Sequence, residues 1–512
     1  MPFATPAALQ RPIVMLLGAL VLALVAYDLY WLLAGLTHPP LGSHSFRQSQ
    51  TAISAYWLLK GGPLIAYETP ILGAPWSIPF EFPLYQWFVA ALAWTGLSID
   101  VSGRLVASAF FLGCLWPMRM LCRQYRLPET TFLIAAALFL AAPIYVFWSR
   151  TIMIETTALF FGLVWLAFFA RLQERPSLVA ALVTFLAGTA CVLAKSTTFP
   201  AFVVIGFLIF ATAFIADLRR RAFGAALVRC IIASIVTLGP LAIGAVWVRY
   251  SDIVKLRSEG GSLLTSAVLT EWNFGEWPAR FAAKLWVDTI ADRVAKDTFG
   301  RLAWLAALLA LFALTQRRYR MPALLCVIGF MVPFLVFTNL HTTHNYYQVA
   351  NAVFAIGAAA IGIQALLDRV WLGGLAALAA LLVAQISFFL SGFGQEIRQD
   401  FTQEPTYRAA EIVKRVTPEN SVVVVFGQDW SSLVPYLAER RGAVMSTWFP
   451  RSMFESLFQH PDAFLGGLPV GAIVDCGTTG YDSASDLIQA YLSDRAVIGE
   501  AGSCRVLAAA KS

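Results

Sequence analysis

The run IVMLLGALVLALVAYDLYWLLAGL occupies residues 13–36. About 20 apolar residues are enough to cross the hydrocarbon core of a membrane. The run is too long for the apolar region of a signal peptide and lacks a clear small-residue cleavage site, so it predicts a retained first span. Comparable runs recur along the chain. The sequence therefore predicts a polytopic α-helical membrane protein.

The composition of the 512-residue chain agrees with that class. Hydrophobic residues make up 59% of the chain and charged residues 13%, whereas an ordinary soluble domain has roughly 25% charged residues. These values exclude a water-soluble protein. The formal charge of +7 does not indicate nucleic-acid binding, because the Arg residues cluster between apolar runs, as they do in cytoplasmic membrane loops.

Eleven apolar runs predict eleven membrane spans. Clusters of Arg residues fall in every second connection, and the positive-inside rule places those connections in the cytoplasm. The N-terminus is then cytoplasmic, and the chain after the last span lies outside, in the periplasm if the membrane is a bacterial inner (plasma) membrane. The predicted spans are 13–36, 101–122, 130–149, 155–170, 178–194, 199–216, 223–248, 301–315, 322–338, 346–367 and 371–391.

Two long outer loops interrupt the predicted transmembrane domain, which covers residues 1–391. The first loop, 37–100, contains FPLYQWFVAALAWTGL at 82–97, which predicts a juxtamembrane helix because it is short, aromatic and opens next to a proline. The second loop is 249–300. The alternative has thirteen spans, with the run at 82–97 and another run within 262–298 crossing the membrane.

Residues 392–512 have the composition of a soluble domain. Apolar runs at 421–427, 471–477 and 504–509 predict strands, and 431–441 and 483–493 predict helices. We therefore expect a small α/β domain on the outer face. The sequence leaves open whether Cys476 and Cys504 form a disulfide there.

Polar side chains gather at the predicted outer ends of the spans. A transporter places ionisable groups near the middle of the bilayer, often within inverted repeats, and neither is evident. In the first loop, Glu81 stands between aromatic and proline neighbours. That environment is expected to raise a carboxyl pKa, which suits a general base or a metal ligand. Nearby, Arg47 and Gln48 offer donors to a phosphate or a sugar, and His44 joins this substrate-binding group.

Further candidates follow at two other connections between spans. In SRTIMIETTALFF, residues 149–161, Glu155 begins a span and could orient a substrate hydroxyl, with Arg150 close by as a substrate-binding candidate. In LAKSTTFP, residues 193–200, Lys195 lies against the charge bias of the outer face. An anion, most naturally a lipid phosphate, would balance its charge.

The turn before the tenth span reads HTTHNYYQV, residues 341–349. Its His344, Tyr346 and Tyr347 are candidates for binding a phosphate, a sugar or a metal ion. Tyr residues are common at membrane interfaces, so the two tyrosines alone carry little weight.

These pieces together resemble the membrane glycosyltransferases of the GT-C class, most nearly family 39, with the protein O-mannosyltransferases and the lipid A aminoarabinose transferases. The resemblance covers roughly residues 10–370. One departure concerns the Asp that the family has just after the first span, because this chain has Arg47 and Gln48 there. The matching residues are the stretch 81–87, Ser149 with Arg150 and Glu155, Lys195, and the stretch 344–347.

The resemblance implies transfer of a sugar from a polyprenyl-phosphate donor to an acceptor hydroxyl on lipid A, a surface glycan or a protein. Lys195, helped by Arg47 and His344, neutralises the phosphate leaving group, and Glu81 first or Glu155 second deprotonates the acceptor. A divalent metal held by Glu81 and His344 is left open, and no other cofactor is expected. The alternatives are a transporter or flippase of lipid-linked glycans and a catalytically inactive scaffold.

Overall fold

The computed structural model describes residues 7–510, with side chains from residue 11 onward. Long helices dominate, and one five-stranded sheet lies near the C-terminus. The first helices in chain order are α1 (Ala7–Ala34), α2 (Ser45–Leu59), α3 (Leu84–Ala93), α4 (Ile99–Gly113), α5 (Leu115–Gln124), α6 (Glu129–Ala141), α7 (Pro143–Trp148), α8 (Glu155–Glu174) and α9 (Leu178–Ala194).

The second half of the bundle contains the same mixture of long and short helices. A π-helical segment, Lys284–Val294, precedes α14, and short 3-10 turns occupy Ser196–Thr198 and Tyr347–Ala350. The α-helices are α10 (Phe199–Arg219), α11 (Phe223–Lys255), α12 (Glu259–Ser262), α13 (Thr270–Phe274), α14 (Ala295–Phe299), α15 (Ala303–Thr315), α16 (Arg320–Val336), α17 (Thr338–Thr343), α18 (Ala352–Leu367), α19 (Trp371–Ser391) and α20 (Phe393–Ile397).

The C-terminal part alternates helices and strands. Its sheet has the order β2-β1-β3-β5-β4, in which β2, β1 and β3 are parallel and β5 pairs antiparallel with β3 and β4. The elements are α21 (Pro405–Val416), β1 (Val422–Phe426), α22 (Leu433–Ala438), β2 (Arg441–Val444), α23 (Arg451–Gln459), α24 (Pro461–Phe464), β3 (Val470–Asp475), α25 (Ser485–Leu492), β4 (Val497–Ala501) and β5 (Cys504–Ala508).

The structure confirms the predicted class, a polytopic α-helical membrane protein with a small C-terminal α/β unit. Helices occupy all eleven predicted segments. Within residues 7–510, seven helical runs are long and apolar enough to cross a membrane, and the other four predicted spans coincide with shorter apolar helices. The seven are Arg11–Ala34, Ile99–Gln124, Glu155–Glu174, Ser196–Arg219, Phe223–Lys255, Lys284–Thr315 and Trp371–Ser391. The number eleven therefore stays a prediction.

The structure has a short helix within the first predicted outer loop, and the second predicted loop has different limits at both of its ends. The juxtamembrane run forms α3, whose ten residues rise only about 15 Å at 1.5 Å per residue and are too short to span. The predicted loop 249–300 is largely helical at both ends, because α11 continues to Lys255 and the next helical run already begins at Lys284. Strands β2 and β4 were also missed, because each is short and follows directly on a helix or turn.

The first outer loop and the C-terminal sheet pack together. The backbone N–H groups of Gly442 and Val444 in β2 donate to the carbonyls of Pro70 and Ile71, each at 2.8 Å. The loop thus pairs with the free edge of the sheet, which an exposed strand would otherwise offer to other chains. Glu68 adds an ion pair to Arg441 at 2.8 Å. One continuous apolar core runs from this loop into the sheet.

Cys476 and Cys504 form a disulfide, which settles the question that the sequence left open. The bond joins the end of β3 to the start of β5 and closes a loop with a sequence separation of 28 residues. In the loop-closure model, a crosslink of that length lowers the entropy of the unfolded chain and so raises the free energy of unfolding by about 3–4 kcal/mol at room temperature.

Replacing both cysteines by alanine is expected to lower the free energy of unfolding of the C-terminal part by a comparable amount. Limited proteolysis against urea, followed on fragments from residues 405–510, measures the loss. The Cys230→Ala variant, which changes an unpaired cysteine in the bundle, is the control. Equal urea midpoints in the double variant and the wild type would contradict the prediction.

Candidate active site

An ion pair joins the two halves of the first outer loop. The guanidinium of Arg47, in α2, donates to the carboxylate of Glu81, with 2.5 Å between Nη2 and Oε1. Arg47 also donates to the amide oxygen of Gln50 in the next turn of its own helix. The backbone of Glu81 is held as well, because Tyr67 Oη donates to its carbonyl at 2.9 Å. The carboxylate therefore has a defined position.

The structure corrects the expectation that the pKa of Glu81 is raised. Burial alone raises this pKa, but the charge of Arg47, its hydrogen bond and the more distant Lys195 outweigh burial and hold the pKa of Glu81 below its ordinary value. A neighbouring cation favours the charged form of an acid. Glu81 is consequently a carboxylate at neutral pH and a weaker base than its apolar sequence neighbours imply.

A second ion pair lies deeper. Lys195, directly after α9, donates to Glu155, the first residue of α8, with 2.6 Å between Nζ and Oε1. The side chains are 6% and 3% exposed. The other carboxylate oxygen of Glu155 is buried without a hydrogen bond among the described residues. Burial lowers the pKa of Lys195, while Glu155 opposes that change.

Aromatic rings cover the lysine. Its Nζ lies 3.7 Å from the ring centroid of Tyr347 and 5.0 Å from that of Tyr346. A cation over a tyrosine face gains electrostatic attraction from the ring, more so where water is excluded. Both tyrosines predicted to bind substrate, Tyr346 and Tyr347, therefore contact Lys195, the residue predicted to bind phosphate.

His44 and His344 complete the group. The His44 ring lies 4.8 Å from that of Tyr346 and 5.6 Å from that of His344, and the His344 ring lies 5.6 Å from Tyr347. Burial, with the nearby charges of His44 and Lys195, lowers the pKa of His344 to about 4. A neutral imidazole donates and accepts hydrogen bonds but adds no positive charge until an anion beside it raises its pKa, so its predicted help in neutralising a phosphate stays a prediction.

We call this group the site cluster. It contains eight residues from five places in the sequence: His44, Arg47, Glu81, Glu155, Lys195, His344, Tyr346 and Tyr347. The charges of Glu81 and Glu155 both act on Arg47, Tyr346 and Tyr347, which places the two ion pairs side by side. The predicted residues thus meet at one end of the bundle.

Two predicted residues lie elsewhere. Gln48 donates to the carbonyl of Ser43 at 3.0 Å, and the Arg150 guanidinium lies over the ring of Phe147. Both line a separate small cavity. A metal held by Glu81 and His344 stays a prediction: Arg47 pairs with the carboxylate of Glu81, and no group of three or more His, Cys, Asp or Glu side chains within residues 7–510 is arranged to hold an ion.

Three residues that no sequence signal pointed to pack against segments that carry the cluster: Arg293, Lys255 and Trp430. Arg293, at the end of the π-helical segment, donates to the carbonyls of His341 at 2.5 Å and Thr342 at 3.0 Å, and so fixes the turn before His344. Lys255 lies over the ring of Phe80, 4.9 Å from its centroid. Their partners are remote in sequence, so a motif search has nothing to match.

Trp430 brings the C-terminal part to the cluster. Its ring contacts Phe46 at 4.8 Å and Phe80 at 6.0 Å between centroids, and these two phenylalanines precede Arg47 and Glu81 directly. The loop after β1 thus packs against both segments that carry the first ion pair. A larger apolar cavity of about 110 Å³ lies at the Arg-rich end of the bundle, lined among others by Tyr125 and Pro322, and takes no part in the cluster.

Comparisons with known proteins place the fold. No protein-family model and no curated protein matches the sequence. Among solved structures, ArnT from Cupriavidus metallidurans bound to undecaprenyl phosphate has a TM-score of 0.64 at 14% identity, covering 96% of this chain and 98% of that one. The same protein in the apo state gives 0.60 at 12% identity, with the same coverage.

An oligosaccharyltransferase from Archaeoglobus fulgidus, in complex with zinc and sulfate, is also similar. Its TM-score is 0.52 at 14% identity, covering 88% of this chain and 67% of that one. The chain therefore has the fold of the GT-C membrane glycosyltransferases. Its fold is similar along nearly its whole length to that of ArnT, a lipid A aminoarabinose transferase.

Proposed function

We propose that this protein is an integral membrane glycosyltransferase that moves a sugar from a polyprenyl-phosphate donor to an acceptor hydroxyl. The observation that carries the proposal is the site cluster, in which two cations and two carboxylates meet beside tyrosine and histidine rings. A similar fold is known with undecaprenyl phosphate bound, which supports a lipid-phosphate donor.

Lys195 and Arg47 are the groups for the donor phosphate. As the glycosidic bond breaks, negative charge grows on the phosphate, and fixed cations in a site that excludes water stabilise that charge. Glu155 holds Lys195 in place through a buried contact, so it acts as a positioning residue in this scheme. The neutral His344 and the two tyrosines supply hydrogen bonds to phosphate or sugar oxygens.

Glu81 is the base in this scheme. Its side chain is 24% exposed, against 3% for Glu155, so an acceptor hydroxyl reaches it more easily. When a donor phosphate draws Arg47 toward itself, Glu81 loses part of the attraction that holds its pKa down and becomes a better base. Breakdown of the Arg47–Glu81 pair therefore couples donor binding to activation of the acceptor.

The acceptor approaches from the side of the C-terminal α/β part, residues 392–512, whose Trp430 packs against Phe46 and Phe80, the residues directly before Arg47 and Glu81. Lipid A, a cell-surface glycan or a protein are the acceptors we consider. The alternation of Arg-rich connections supports a cytoplasmic N-terminus. With that orientation, the cluster and the C-terminal part lie on the periplasmic side of the inner membrane.

A reconstituted assay tests the proposal. The purified full chain is placed in liposomes with radiolabelled polyprenyl-phosphate sugars and envelope lipid, glycan or protein fractions as acceptors. We expect label to move to one acceptor class, and mass spectrometry identifies the added sugar. No transfer from any donor would refute the proposal and favour an inactive scaffold. The observation in favour of a scaffold is that Glu81 and Glu155 are both already paired with cations.

Replacing Arg293 by glutamine is expected to lower transfer by roughly 10- to 100-fold, because the turn that carries His344 loses three backbone hydrogen bonds and small displacements of reacting groups are costly. The KM for the donor should rise, and Arg293→Lys should restore part of the rate. Arg280→Gln is the matched control, since Arg280 also donates to backbone carbonyls, at 2.9 Å for Leu335, outside the cluster. Equal losses in both glutamine variants would argue against a positioning role.

The transporter alternative has one observation in its favour. Asp28, in α1, is 8% exposed, and neither carboxylate oxygen has a hydrogen bond within the described residues. Acids inside spans often mark translocation pathways. If the chain is a transferase, Asp28→Asn should leave the rate of transfer nearly unchanged, because Asp28 lies in α1 and is not part of the site cluster. Loss of flux of a labelled lipid-linked glycan across liposomes in this variant would instead support transport.

A further inference from the structure

A small polar cavity lies beside the first turn of α2, where Gln48 lines it. We call it the Arg150 cavity. Its volume is about 20 Å³, on a scale where one water needs roughly 10–15 Å³. It therefore admits one or two waters or a small anion, and excludes a sugar ring. Its charged and polar lining consists of His38, Gln48, Arg104, Arg150, Thr151 and Glu396.

Arg150 reaches this cavity without a protein partner for its charge. The residue is 5% exposed, and its Nε is buried with no hydrogen bond among the described residues. No carboxylate oxygen of those residues lies within 4.0 Å of its guanidinium, whose contact is with the ring of Phe147 at 5.9 Å. A buried charge is costly unless it is paired and hydrogen-bonded. Binding of an anion would therefore stabilise this guanidinium.

Arg104 gives the cavity a rigid wall and a second positive charge. It donates to the carbonyl of Arg150 at 2.8 Å and to that of His38 at 2.9 Å, and its own Nε has no partner among the described residues. The Arg104 side chain is thus fixed by the two segments that bound the cavity. Backbone carbonyls accept the hydrogen bonds of both its Nη atoms, so only its Nε is left to donate to a ligand.

One acid lines the cavity, and its oxygens are occupied. Ser43 donates to Glu396 through its backbone N–H at 2.6 Å and its hydroxyl at 2.8 Å. A second acid, Asp100, acts on Arg104 from outside the cavity lining, and Glu396 acts on Arg150. Neither carboxylate forms an ion pair with these guanidiniums among the described residues, so the guanidinium of Arg150 keeps unused donors. The guanidinium fork of arginine matches the geometry of phosphate oxygens, which accept two parallel N–H bonds.

We propose that the Arg150 cavity binds a phosphate-type oxyanion, held by the guanidinium of Arg150 and the Nε of Arg104. The anion is inorganic phosphate or the phosphoryl group of a lipid headgroup, since the half-buried rim residues His38, Leu41 and Glu396 follow α1 and α19 at the end of the bundle. This site is separate from the donor phosphate position at Lys195 and Arg47, and it does not depend on transferase activity.

The stability of the full chain in maltoside micelles, which carry no phosphate, tests the site. At constant ionic strength, replacing chloride by inorganic phosphate is expected to raise the unfolding midpoint by about 2–4 °C, because a ligand that binds the folded state stabilises it. Arg150→Gln should abolish the rise. Arg398→Gln should retain it, because Arg398 lies over the ring of Trp31 outside the cavity.

A second variant keeps the charge and moves the group. A Cβ added at Gly35 would lie 2.2 Å from Nη2 of Arg150, so Gly35→Ala displaces the guanidinium without removing it. We expect this variant to lose the phosphate response as well. A wild-type midpoint that responds equally to phosphate and chloride, or a full response in Arg150→Gln, would overturn the proposal for a free anion.

Adding phosphatidylglycerol to the same micelles distinguishes the two sources. A headgroup ligand raises the midpoint of the wild type and Arg398→Gln but not that of Arg150→Gln, while inorganic phosphate alone has a smaller effect. If the ligand is a free anion, inorganic phosphate raises the midpoint more than phosphatidylglycerol does. No response of the wild type in either arm, or responses that do not depend on Arg150 in both arms, overturns the site altogether.

Discussion

Replacing Lys195 by methionine is expected to lower glycosyl transfer by roughly 10²- to 10³-fold, the loss typical when a fixed group that stabilises developing charge is removed. The same change leaves Glu155, 3% exposed, as a buried charge without its cation. Removing one partner of a buried ion pair costs about 3–5 kcal/mol. Activity and stability should therefore both fall, measured by transfer of labelled sugar and by thermal unfolding of the reconstituted chain.

The double variant Lys195→Met with Glu155→Gln separates these two effects. Removing both charges takes away the uncompensated carboxylate, so stability should return toward that of the wild type. Transfer should stay low, because the phosphate still lacks its cation. A double variant that regains wild-type transfer would show that Lys195 serves the fold alone and would remove it from the proposed mechanism.

Glu81→Gln is expected to lower transfer by roughly 10²- to 10⁴-fold, the range for removing a general base. Because Arg47 holds the pKa of Glu81 below its ordinary value in the free protein, the wild-type kcat/KM, which reports the free enzyme, should stay level from neutral pH down toward pH about 4.3, the ordinary pKa of a Glu carboxyl. It should fall as the pH passes through the lowered pKa. The pair also stabilises the fold above the unfolded-state pKa, and that stability is lost over the same acidic range.

Glu68→Gln is the matched control. Glu68 lies in the same loop and pairs with Arg441 at 2.8 Å, with its side chain 14% exposed, but it does not contact the site cluster. We expect normal transfer in this variant and a modest loss of stability at the contact between the loop and β2. If Glu68→Gln reduces transfer as much as Glu81→Gln does, the loss reflects a disturbed loop and Glu81 is not the base.

The pairing of Arg47 with Glu81 bears on the departure from the family 39 pattern. Where that pattern has an Asp after the first span, this chain has an Arg that holds the carboxylate of the second half of the same loop. An acid is therefore present at the cluster, although it comes from position 81. Retention of transfer in Arg47→Gln with Glu81→Gln would contradict this substitution of one acid for another.

Hydropathy alone determined the class of protein, the positions of its helical segments and the presence of an α/β part after residue 391. Each apolar run must find a nonpolar environment and satisfy its own backbone hydrogen bonds, and both conditions act within a single segment. The strands at 422–426 and 470–475 were predicted for a similar reason, since short apolar β-branched runs carry their own signal. Such features are local, so they are visible before any contact is known.

Only the tertiary structure decided which polar groups meet. Arg47 and Glu81 are 34 residues apart in sequence and Lys195 and Glu155 are 40, and their contacts depend on how the helices and the connections between them pack against one another. The lowered pKa of Glu81 and the removal of Arg150 and Gln48 to a separate cavity follow from that packing. Charge interactions depend on distance and burial in three dimensions, and the order of residues along the chain specifies neither.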